Sequence, residues 1–75
     1  NARQIECLEW LVAGKSLEEV ALITGMSYSN VRYHLARAKK LTGLHSLQQL
    51  LAYAAVEYRL SPLGPERRLD SPPQH

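Results

Sequence analysis

Three times in its first 46 residues the chain stops on a glycine and restarts on a serine. The breaks are Gly14-Lys15-Ser16, Gly25-Met26-Ser27 and Gly43-Leu44-His45-Ser46. Glycine ends a helix cheaply because it takes the left-handed conformation without a Cβ penalty. Serine begins one by accepting a bond from a backbone N–H two or three residues on. The spacing therefore predicts four short helices, over 2–13, 17–24, 28–42 and 47–59. Asn1 serves as the first N-cap, and SLEE (Ser16 with Glu19 three residues later) reads as a capping box. Seventy-five residues bury only about 60% of their unfolded surface, enough for one small domain and not for a deep enzyme cleft.

Each predicted helix has an inner side. Ile5, Leu8, Leu11 and Val12 share a stripe on the first, and Leu17, Val20, Ala21 and Thr24 on the second. On the third, Val31, Leu35, Ala38 and Thr42 fall within about 60° of one another at 100° per residue. The fourth has two apolar sides. Leu47, Leu50, Leu51, Ala54 and Tyr58 are expected to close the core. Gln49, Ala52, Tyr53, Val56 and Leu60 form an outward patch that favours self-association into a homodimer. From Ser61 the composition shifts, SPLGPERRLDSPPQH holding all four prolines. Residues 61–75 are read as a flexible tail and residues 1–60 as the folded domain.

The overall charge is only +2, but its placement is uneven. The third helix carries Arg32, Arg37, Lys39 and Lys40 without an acid, whereas Glu18 and Glu19 sit just before it. A solvated face usually mixes signs, so this segregation points to a polyanion. Ser29, Tyr33, Ala36, Arg37 and Lys40 lie opposite the core stripe, with Arg32 and Lys39 on one edge and His34 and Leu41 on the other. Two helices joined by a three-residue turn containing glycine make a helix-turn-helix. A 15-residue helix is about 22 Å long, and the major groove of double-stranded DNA is about 12 Å wide.

Arg32 is the first choice for a base contact, since a guanidinium bonds bidentately to guanine; a phosphate clamp is its competing role. Tyr33 suits a thymine methyl or a phosphate. Arg37 and Lys40 are expected at phosphate. Lys15, Ser16, Ser27, Tyr28, Ser29 and Asn30 cluster at helix starts, where free N–H groups attract phosphate; simple capping competes for Ser16 and Ser27. His34 is read as packed or solvated. Cys7, in an apolar-periodic run, is read as a core filler, and His45 and His75 stand too far apart to hold a metal. No nucleophile–base pair, Gly-rich phosphate loop or paired carboxylates appear, so neither an enzyme nor a cofactor is expected. No segment has the length of a membrane span.

The ordered set Glu6, Leu8, Trp10, Gly14-Lys15-Ser16, Glu19-Val20-Ala21, Val31, His34-Leu35 and Gly43 resembles the DNA-binding domain of LuxR-type transcription regulators. The likeness covers roughly residues 3–60. It implies an all-α, small four-helix bundle whose third helix reads the major groove and whose fourth dimerises. It also implies a bacterial, cytoplasmic, nucleoid-associated protein. LEEVA and YSNVR are similar to autoinducer-responsive members, which implies an upstream domain that binds an acyl-homoserine lactone; a phosphorylated receiver is the other arrangement. The chain begins with Asn, so a regulatory domain is expected upstream. Departures from the family pattern include Leu41, Thr42 and Leu47, and Ala36 where some relatives place a base-reading residue. Two other readings are an interaction module that forms inactive heterodimers, and a domain like region 4 of a sigma factor.

Overall fold

The computed structural model describes residues 2–64, and they form four α-helices: α1 Ala2–Val12, α2 Leu17–Thr24, α3 Tyr28–Thr42 and α4 Leu47–Glu57. Serine starts the last three. The Ser16, Ser27 and Ser46 hydroxyls accept from the N–H groups of Glu19, Asn30 and Gln49 at 3.0–3.1 Å. Gly25 and Gly43, both at φ +75°, end α2 and α3 and donate their N–H groups to Ala21 and Lys39. The expected cap Asn1 lies outside the described residues.

The predicted capping box is complete. Glu19 accepts the Ser16 N–H at 2.8 Å while Ser16 Oγ accepts the Glu19 N–H at 3.1 Å. That backbone bond is the main force holding the Glu19 carboxyl below its ordinary value of 4.5. A carboxyl depressed on folding stabilises the fold above its unfolded pKa, and the gain fades as pH falls through the folded pKa. Thermal melts from pH 7 down to pH 3 should therefore drop more steeply below 4.5 in the wild type than in Glu19→Gln. The amide can still accept the bond but does not titrate. Parallel curves for the two proteins would refute this.

α1 packs against the other three helices, and α3 against both α2 and α4. The core holds Cys7, Leu8 and Leu11 from α1, Val20 from α2, Val31, Leu35 and Ala38 from α3, and Leu50 and Ala54 from α4. Cys7 is fully buried, and burial pushes its thiol pKa up, which leaves it as packing material. Ile5, Val12, Leu17, Ala21 and Thr24 are half-buried around this centre.

Four expectations for the C-terminal end are corrected. α4 stops at Glu57 instead of running to residue 59. Arg59 takes the left-handed conformation at φ 54°, and the Leu60 N–H reaches back to the Ala55 carbonyl. This is a Schellman-type ending made without glycine. It swings Leu60 into the core, where it is 7% exposed, so Leu60 does not belong to the outward patch in which the sequence placed it. Tyr58, expected inside, sits at the helix cap and is 42% exposed. Finally, the two ends of the segment 61–64 are packed, although Pro62 and Leu63 between them are exposed. Ser61 is buried, accepting from the Leu63 N–H on its hydroxyl and from the Gly64 N–H on its carbonyl. Gly64 lies against Ala13 and Trp10. The folded unit therefore extends past residue 60; the rest of the expected tail, 65–75, lies outside the described residues.

Candidate nucleic-acid interface

The turn between α2 and α3 is fixed from both ends. The Thr24 hydroxyl donates to the Val20 carbonyl at 2.7 Å and accepts the Met26 N–H at 3.3 Å. Met26 packs on the core beside them. With Val31, Leu35 and Ala38 turned inward, α3 has no rotational freedom. Its opposite side must face out.

That side exposes Ser29, Asn30, Arg32, Tyr33, Ala36, Arg37 and Lys40. Among the described residues, none of Arg32, Arg37, Lys39 or Lys40 forms an ion pair; the salt bridge there joins Arg3 to Glu6 on α1. Among those residues, no carboxylate therefore neutralises their charge at ion-pair distance. The Arg32 guanidinium lies 6.0 Å from the Tyr28 ring centroid, within reach of a cation–π attraction that steadies the long side chain. Tyr33 is 58% exposed. Its ring meets His34 edge-on with centroids 5.6 Å apart. His34 is half-buried with Nδ1 turned inside, a packed position.

Two hollows flank the outer surface of α3. One lies where the first residues of α2 and α4, Leu17 and Leu47, approach Arg32, Leu35, Ala36 and Lys39. The other is bounded by Tyr33, Ala36, Arg37 and Lys40. The first brings Arg32 beside the α2 start, where Lys15 and Ser16 are exposed. Ser27, Tyr28, Ser29 and Asn30 lie together at the α3 start, all exposed. Ser16 and Ser27 are occupied as caps, yet each hydroxyl keeps a hydrogen to donate to an anion.

Lys39 belongs to this surface too, although the sequence assigned it only to the edge of α3. It is half-buried in the same hollow as Arg32, seven residues on and so on the same side of the helix. That spacing was a usable signal. On α4, Gln49, Ala52, Tyr53 and Val56 are exposed, Val56 at 82%. Tyr53 and Tyr58 also border a cleft with Gln4, Ile5, Leu8 and Leu41. Among the described residues no helix is long and apolar enough to cross a membrane.

The chain matches the family model described as bacterial regulatory proteins, luxR family, across residues 1–54. The chain is 29% identical over 67 residues to the transcriptional activator protein ExpR of Dickeya dadantii, covering 89% of this chain and 27% of that one. It is 33% identical over 62 residues to the transcriptional activator protein VanR of Vibrio anguillarum, covering 83% and 26%. Against the transcriptional activator protein AhyR of Aeromonas hydrophila the identity is 38% over 50 residues, covering 67% and 19%. The chain thus spans about a quarter or less of the length of these relatives. No solved structure matches it.

Proposed function

The chain belongs to the luxR family of bacterial regulatory proteins, a family of DNA-binding transcription regulators, and from that premise we propose how it engages its operator. α3 enters the major groove. Arg32 and Tyr33 face base edges, Arg37 and Lys40 hold phosphates, and Lys15, Ser16, Ser27, Tyr28, Ser29 and Asn30 hold the backbone at the helix starts. Two copies meet through Gln49, Ala52, Tyr53 and Val56 of α4, so the operator is an inverted repeat. The observation that carries this reading is the row of exposed cations on α3 with no ion pair among the described residues.

The module serves as the output end of a longer quorum-sensing regulator in the bacterial cytoplasm. Support comes from the likeness of LEEVA and YSNVR to autoinducer-responsive members, and from relatives that are transcriptional activators of about four times the matched length.

One titration against duplex DNA tests these parts together. For the domain on mixed-sequence duplex, log affinity should fall with log salt, with a slope of about −0.9 per phosphate neutralised. On a selected inverted repeat the wild type should bind cooperatively and Val56→Glu should not. In the full-length regulator, affinity should change when an acyl-homoserine lactone is added. A folded domain that ignores DNA at low salt removes the DNA reading. Non-cooperative wild-type binding removes the dimer, and indifference to the lactone removes the sensory assignment.

A further inference from the structure

Ala36 lines both hollows on the outer side of α3. On one side of it stand Arg32 and Lys39, on the other Tyr33, Arg37 and Lys40. A methyl group thus forms the low point between two cationic flanks. The flanks can hold phosphates on either side, and the small residue between them lets the helix approach the groove floor closely.

What reaches that low point must suit its chemistry. The Ala36 side chain offers no hydrogen-bond donor or acceptor. The wall on one side is the exposed Tyr33 ring, completed by the aliphatic stems of Arg37 and Lys40. A donor edge pressed there, such as the N4 amine of cytosine, would lose its water and face cations that cannot accept its hydrogen bond, which is unfavourable. The major groove displays one apolar group, the C5 methyl of thymine. We propose that Ala36 seats a thymine methyl, making thymine rather than cytosine the preferred base at one position of each half-site. This rests on the DNA-binding reading above and adds to it a base preference that Arg32 cannot supply.

The test uses the 75-residue chain and duplexes that it enriches from a randomised library. Each thymine in the enriched duplex is replaced singly by deoxyuridine, which lacks only the methyl group. A single replacement at the position that Ala36 meets should weaken wild-type binding roughly four-fold, the value of one buried methyl-sized group. Ala36→Gly should bind the thymine and deoxyuridine duplexes equally while keeping the salt dependence of the wild type. Glycine costs helix stability, so Ala36→Leu provides the second arm. It keeps the helix, fills the hollow, and should bind the enriched duplex at least about ten-fold more weakly, as expected when one well-matched base pairing is prevented.

The proposal is overturned if no thymine position discriminates, if Ala36→Gly keeps the wild-type ratio, or if Ala36→Leu binds normally. Salt-dependent binding without any enriched sequence also overturns it and leaves DNA binding intact. A chain that binds no duplex at any salt overturns both.

Discussion

Replacing Arg32 and Arg37 together by alanine is expected to cripple DNA binding while leaving the fold in place. Both side chains are exposed and in no ion pair among the described residues, so the stability change should stay near about ±0.5 kcal/mol. Arg32 adds at most about 1 kcal/mol through its approach to Tyr28. The cost in binding is larger. A bidentate guanine interaction is worth about 1–3 kcal/mol, and each phosphate no longer neutralised makes the salt slope shallower by about 0.9. The double variant should therefore bind roughly ten- to a thousand-fold more weakly near physiological salt. Arg32→Lys separates the two roles of that residue, because it keeps the charge and removes the planar fork. Wild-type sequence discrimination in Arg32→Lys would demote Arg32 to a phosphate clamp. Full affinity in the double variant, measured by the same titration, would displace α3 from the groove altogether.

The part of this surface that was legible in the sequence is the part that depends on one helix alone. Arg32, Tyr33, Arg37 and Lys40 could be placed because Val31, Leu35 and Ala38 fix which side of α3 faces in. Every cation on that helix then follows from its angle. Lys39 follows from the same angle, but the hollow that gives it a role does not. That hollow is closed by Leu17 and Leu47 from the starts of two other helices, a tertiary fact that no wheel drawn for α3 contains.

The ends of the helices divide along the same line. α2 and α3 end on Gly25 and Gly43, which are chemically specialised for the left-handed turn. Their limits are therefore written in the residues. α4 ends with Arg59 in that conformation, a residue that carries no such mark. Its strain is offset by burial of Leu60 and by the bond to Ala55. An extrapolated helix keeps Leu60 beside Val56 on the outside, and the real turn carries it inside. The packing of Ser61 and Gly64 was hidden for a related reason. A proline- and glycine-rich composition looks like a tail, yet its first four residues turn on hydrogen bonds to Ser61 and bring Gly64 against Trp10 and Ala13.

Leu50→Ala should have the largest effect on the fold itself. Leu50 is 1% exposed, and it borders the cleft where α4 meets Gln4, Ile5 and Leu8 of α1 and Ala38 of α3. Truncating such a leucine costs about 2–5 kcal/mol, the forfeited transfer energy plus a cavity that the surroundings only partly fill. A domain of this size holds only about 3–9 kcal/mol in total at typical values per residue. The variant should therefore melt far below the wild type and be substantially unfolded at growth temperature. Leu22→Ala makes the same chemical change at a side chain 83% exposed, and its melt should match the wild type. Equal melts for the two variants would mean that α4 is not part of the cooperative unit. The pair also guards the binding argument. A drop in DNA affinity in Leu50→Ala should recover when the protein is cooled or when an excluded osmolyte restores the fold. The drop in the Arg32, Arg37 variant should not, because there the structure is present and the charge is gone.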